Sequence, residues 1–207
     1  MSARYLILVL ALGVSIPAQA DDYTTTPAQF VYCTVCHGVE LKGNKSVDAP
    51  KLNGMEQWYV LDQLQAFKSG RRGTNSQDLI GREMRPMAAV LTDEQLRQAA
   101  VYVTSIPTLR AEATLGGDTR RGETLYATCA ACHGPRARGN EALHAPQLAG
   151  QSDWYLVRQL EKYQAGIRGS TPGETWSAQM RTSALVLPDK QSMIDVAAYI
   201  NTLQDST

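Results

Sequence analysis

Apolar positions along the chain fall on helical spacings, and they do so twice. In residues 58–69, Leu61, Leu64 and Phe67 recur at three-residue intervals, and Gly70 supplies a C-terminal stop. Residues 154–165 repeat the pattern and end at Gly166. Thr92-Asp93-Glu94-Gln95 reads as a capping box before a helix whose apolar face is Leu96, Ala99, Ala100 and Val103. Its later counterpart is capped by Asp189 and carries Met193, Val196, Ala197 and Ile200. A shorter helical segment holds Phe30 early in the chain and Tyr126 later. No convincing alternating run and no Asn-Gly hairpin signal interrupts this. The pattern predicts an all-α protein with about three main helices in each half, joined by long loops. Loops of that length in so small a unit imply that something other than side chains fills the core.

The duplication is explicit. Cys33-Thr34-Val35-Cys36-His37-Gly38 recurs as Cys129-Ala130-Ala131-Cys132-His133-Gly134, an offset of 96. The same offset relates Ala49-Pro50 to Ala145-Pro146, Trp58-Tyr59 to Trp154-Tyr155, Gln63 to Gln159, Arg72 to Arg168 and Met84 to Met180. It becomes 97 by Tyr102 and Tyr199, which places a one-residue insertion around Pro188. A unit of about 90 residues is too long for a solenoid repeat. Residues 108–117 lie between Pro107 and Asp118 and contain the pair Gly116-Gly117, so they read as an extended linker. The expected division is 1–20 signal peptide, 21–107 first domain, 108–117 linker and 118–207 second domain.

C-x-x-C-H is the attachment signature of c-type haem. Cys33, Cys36, Cys129 and Cys132 would form thioethers with the haem vinyl groups, and His37 and His133 would bind the irons. A dithiol redox pair or a four-cysteine zinc site would use the same cysteines. Neither accounts for a histidine directly after both motifs. Met84 and Met180 share one repeat position and are the candidates for the opposite axial ligands, which would raise the reduction potential. Met87 lacks a repeat partner and is the competitor in the first half. A ligating histidine donates its second ring N–H to a carbonyl or carboxylate. Pro50 and Pro146, each 13 residues after its histidine, are placed to accept it. Trp58, Trp154, Arg72 and Arg168 are paired donors that could reach haem propionates, alongside Tyr59 and Tyr155. His144, opposite Asp48 in the repeat, reads as a solvated loop position.

Composition narrows the function. The 207 residues carry 20 basic and 20 acidic side chains, a formal net charge of zero, which argues against nucleic-acid binding. Arg4 precedes an apolar run from Tyr5 to Ile16, then Pro17 and the small-x-small site Ala18-Gln19-Ala20. This reads as a cleavable secretory signal, and the run is short for a membrane span of ~20 residues. Export to the periplasm is expected. Removing Arg4 leaves 19 basic residues (20 − 1) against 20 acidic.

The chain resembles the class I c-type cytochromes, and specifically the dihaem cytochrome c4 family. The resemblance rests on the two C-x-x-C-H-G motifs, the Ala-Pro-x-Leu-x-Gly loops, the Trp-Tyr…Gln-Leu helices ending in Gly-x-Arg-Gly, and the two methionine segments. It implies two tandem cytochrome c folds related by pseudo-two-fold symmetry, each around one covalent haem c. It also implies periplasmic one-electron transfer between respiratory donors and a terminal oxidase or other acceptor, often with membrane association. The alternative is the dihaem electron-accepting subunit of a periplasmic dehydrogenase complex, of the flavocytochrome c sulfide dehydrogenase type. An enzyme such as a dihaem peroxidase would need an exchangeable iron ligand, and the two methionines argue against one. The Pro188 insertion and the first half's lack of a counterpart to Gly122 depart from the repeat.

Overall fold

The structure is a computed structural model and describes residues 26–205. The expected signal peptide lies outside the described residues. The first half opens on a 3-10 turn, Ala28–Phe30, followed by α1 (Val31–His37), a second 3-10 turn at Lys45–Val47, α2 (Gln57–Ser69), α3 (Leu79–Ala89) and α4 (Asp93–Ser105). The second has α5 (Thr119–His133), α6 (Asp153–Gln164), α7 (Thr175–Ala184) and α8 (Lys190–Thr202). Among the described residues extended pairing is limited to two isolated bridges, Asn44 with Ala49 and Asn140 with Ala145.

The signals read from sequence operate locally. Thr92 accepts from the Gln95 N–H at 3.2 Å and the Gln95 side chain accepts from the Thr92 N–H at 2.8 Å, closing the box at the start of α4. Asp189 accepts from the Ser192 N–H at 2.7 Å and starts α8. Gly70 ends α2 in the left-handed region. The inserted residue is Pro188, because Leu91 and Leu187 are equivalent buried residues while Thr92 and Asp189 are the equivalent caps.

Each half also has a helix beyond the three that apolar spacing marks. Between them α3 and α7 bury only Gly81, Ala88 and Ala184. Their apolar side chains, Ile80, Met84 and Met87 on α3 and Trp176, Met180 and Ala184 on α7, face the cavities rather than a packed protein core.

The first helix differs in length between the halves for a steric reason. A Cβ at Gly122 would lie 2.0 Å from the Asp195 carbonyl oxygen, so α5 crosses α8 with almost no space between the backbones. The equivalent residue in the first half is Thr26. It stands outside any helix, and its hydroxyl accepts from Tyr102 at 3.0 Å. Both crossings are lined by aromatic pairs. Phe30 stacks on Tyr102 at 5.3 Å, and Tyr126 packs against Tyr199 at 5.5 Å.

Residues 108–117 are non-helical, but they are tied to the second half. Ala111 exchanges bonds with Gln204 at 3.0 and 3.3 Å. The Asp153 carboxylate, with no exposed surface, accepts from the Thr114 N–H at 2.5 Å, the Thr114 hydroxyl at 2.8 Å and the Leu115 N–H at 2.7 Å.

Candidate functional site

The cysteine motifs end α1 and α5, so each pair of thiols sits on the last turns of a helix with its histidine as the final residue. None of the four cysteines is in a disulfide. Burial pushes the Cys33 and Cys129 thiols up from their ordinary value.

After the histidine the chain turns sharply back. Gly43 and Gly139 have φ of 84° and 80°, and a Cβ on either would meet the next loop's backbone nitrogen at 2.6 Å. Only glycine permits this crossing. It brings the Pro50 carbonyl 2.8 Å from His37 Nδ1, and the Pro146 carbonyl 2.8 Å from His133 Nδ1. A carbonyl can only accept, so Nδ1 carries the proton in both rings. Nε2 is then the ring nitrogen with a free lone pair. Burial lowers both imidazole pKa values, which keeps the rings neutral.

His37 and His133 line separate cavities. The first, about 160 Å³, is also lined by Cys33, Cys36, Met84, Leu64, Phe67 and Tyr102. The second, about 280 Å³, is lined by Cys129, Cys132, Met180, Leu156, Tyr163 and Ile200. Each cavity therefore brings together its cysteines, its histidine and its repeat-matched methionine. Met87 also reaches the first cavity but is 43% exposed.

The cavities are not built from one half each. Trp58 and Tyr59 line the second cavity, whereas Tyr155, Gln159 and Lys162 line the first. Trp154 lines neither; Arg158 lies over its ring at 5.8 Å. Arg72 and Arg168 close a ring between the halves. Arg72 donates to Gln63 at 2.5 Å and to Gln159 at 3.1 Å. Arg168 donates to Gln159 at 2.9 Å and to Gln63 at 2.8 Å. Each arginine also reaches the other half's tyrosine hydroxyl, Tyr155 at 3.3 Å and Tyr59 at 3.2 Å. The Nε atoms of both arginines are buried with no partner. Two guanidinium groups with unspent donors, held by neutral amides beside the cavities, form a locus for anions.

Three features escaped the repeat-based reading because they occur where the repeat breaks. Lys162, which replaces Ala66 of the first half, pairs with Asp78 at 2.5 Å across the halves. Trp176, which replaces Ile80, stacks on His144 at 4.6 Å, and His144 meets Trp58 edge-on at 5.8 Å. Lys51, which replaces Gln147, is buried. Listing mismatched repeat positions as well as matched ones would have flagged all three.

The family model for cytochrome c matches residues 27–107 and again 119–204. The thiosulfate dehydrogenase electron acceptor of Stutzerimonas stutzeri strain A1501 is 35% identical, over 80% of this chain and 81% of that protein. Cytochrome c4 of Azotobacter vinelandii is 30% identical over 99% of both. Among solved structures, reduced cytochrome c4 from Pseudomonas stutzeri has a TM-score of 0.64 at 28% identity, with 84% of this chain and 94% of that one covered. Thiosulfate dehydrogenase (TsdBA) from Marichromatium purpuratum has a TM-score of 0.65 at 28% identity over 82% of this chain, which spans only 36% of that longer protein. The duplicated motifs, the paired cavities and these likenesses agree, and the chain belongs to the cytochrome c family as a tandem-domain, dihaem c-type electron carrier related to cytochrome c4.

Proposed function

We propose that His37 and Met84 hold the iron of the first haem c and His133 and Met180 that of the second. Cys33, Cys36, Cys129 and Cys132 supply the thioether bonds. The observation that carries this is the pair of imidazoles, each held at Nδ1 by a proline carbonyl and each sharing its cavity with the matched methionine. The residues fit the group: two thiols, a neutral imidazole and a thioether line each cavity, and buried arginine Nε atoms stand ready for carboxylates.

Each bound haem supplies a one-electron iron couple. The chain's own residues fix the imidazole planes, leave no ligand position open beside a histidine and a methionine, and exclude water through the apolar linings. Arg72 and Arg168, whose Nε donors lack a protein partner at the junction of the halves, would hold haem propionates. Electrons then enter through one unit, 21–107 or 118–207, and leave through the other, with 108–117 joining them.

The location is the periplasm, supported by the signal-like residues 1–20. The role is electron transfer between protein partners, not substrate turnover. A second reading is specifically favoured by the 35% identical relative: the chain is the acceptor that drains a periplasmic dehydrogenase. The test is the covalent haem count with the weak red methionine–iron charge-transfer band. Two haems per chain, both contributing to the band, are expected. A haem without the band rejects its methionine assignment.

A further inference from the structure

Lys51 and Gln147 occupy one position of the repeat, each directly after the proline that holds the histidine. They also make the same bond. Lys51 Nζ donates to the Asn53 carbonyl at 2.5 Å, and Gln147 Nε2 donates to the Ala149 carbonyl at 2.9 Å. Asn53 and Ala149 are themselves equivalent. The loop therefore needs a donor on a long side chain, and a neutral amide meets that need.

Lys51 adds a charge to the same job. It is 3% exposed, and a Cβ at Gly54 would meet both its Nζ, at 3.3 Å, and the side chain of Thr108. Gln151 caps the Lys51 carbonyl at 3.0 Å, so the other half helps to close the site. Burial alone lowers the ammonium, to about 8, and it remains charged at neutral pH. A charge screened this little acts over a longer range than one at the surface. It favours the less positive of two iron states.

We propose that Lys51 sets the balance between the haems: its buried charge raises the reduction potential of the first, whereas neutral Gln147 gives the second no such lift. This rests on the reading of His37 and Met84 as the first iron's ligands. The charge biases a shared electron toward the first half, a directionality that duplication alone would not provide.

The test is a potentiometric titration of the dihaem protein at pH 6, comparing wild type, Lys51→Gln, Lys51→Arg and Gln147→Lys. The first-half component is identified as the one that Met84→Ala displaces. Lys51→Gln keeps the donor and removes the charge. It is expected to lower that component alone, by about tenfold in its equilibrium constant, or ~59 mV for one electron. Lys51→Arg should hold the wild-type value, and Gln147→Lys should raise the other component. Unchanged midpoints in Lys51→Gln, with the methionine–iron band intact, would overturn the proposal. If Lys51→Gln does not fold, an unmoved second component in Gln147→Lys overturns it equally. Failure of the ligand reading shows separately, as a missing band in the wild type.

Discussion

Arg168 donates to Gln63 of the opposite half at 2.8 Å, and the same Gln63 oxygen accepts from Arg72 of its own half at 2.5 Å. One amide thus joins the buried Arg168 to the half-buried Arg72. Arg168→Ala removes three charge-assisted bonds, to Gln159, Tyr59 and Gln63, and leaves Arg72 as the one arginine donor to the two glutamine oxygens. A charged hydrogen bond contributes ~1.5–3 kcal/mol, and such losses are less than additive. We expect a cost of about 3 kcal/mol and separation of one cooperative unfolding transition into two. Denaturant titrations followed by far-ultraviolet dichroism and haem absorbance would read both. A single unshifted transition would show that the ring does not couple the halves.

Met180→Ala should open the second iron to carbon monoxide and lower its potential, while Met84→Ala does the same at the first. Met87→Ala should leave both untouched, since this side chain is largely exposed although it lines the same cavity as Met84. Carbon monoxide difference spectra of the three variants decide the assignment. Binding in Met87→Ala but not in Met84→Ala would exchange their roles.

Replacing Cys129 and Cys132 together by serine should leave one covalent haem per chain. Mass spectrometry of the denatured protein counts it directly. Two retained groups would refute the attachment sites.

Stability above neutral pH should carry the signature of Lys51. Its pKa is lowered by burial from 10.5 to about 8, so between those values the unfolded chain binds the extra proton. Stability then rises with pH across that window. The penalty is fully present below pH 8 and is relieved by 10.5, a gain of about 3 kcal/mol at ~1.36 kcal/mol per unit. The wild type minus Lys51→Gln difference in denaturant midpoint isolates it from the tyrosines. A difference that stays flat with pH would mean that the amine is solvated.

Gly122→Ala should destabilise the second half by ~3 kcal/mol, at the upper end for overpacking, because its methyl group would meet the Asp195 carbonyl. Adding alanine at the equivalent Thr26 should cost little beyond the hydroxyl bond with Tyr102. Thermal melts of the two variants give the contrast.

The helices that pack against protein were legible in the sequence. Leu96, Ala99, Ala100 and Val103 are all buried on α4, and Met193, Val196, Ala197 and Ile200 on α8. The proline carbonyls facing His37 and His133 were legible too, because the repeat preserved their spacing. The helices α3 and α7 were not, although Ile80, Met84 and Met87, and Trp176, Met180 and Ala184, are helically spaced; each stripe is short and lines a cavity instead of packing on another helix. The reach of Trp58 into the second cavity, and of Tyr155 into the first as well as the second, was hidden for another reason. A repeat read by self-comparison treats each copy as complete, whereas the interface forms between copies. His144 is exposed as expected, but its stacking on Trp176 depends on an aromatic residue where the first half has Ile80.

The bonds made by Asp153 have a consequence for anyone cutting the chain. Its carboxylate is fully buried, and three of its donors come from Thr114 and Leu115. A fragment beginning at Asp118 would strand that charge, and it would also lose the Ala111 seat of Gln204. An isolated second unit should therefore start near Arg110, carrying the connecting strap as its own N-terminal belt. In the language of gene fusion, the joint lies before the linker and not after it.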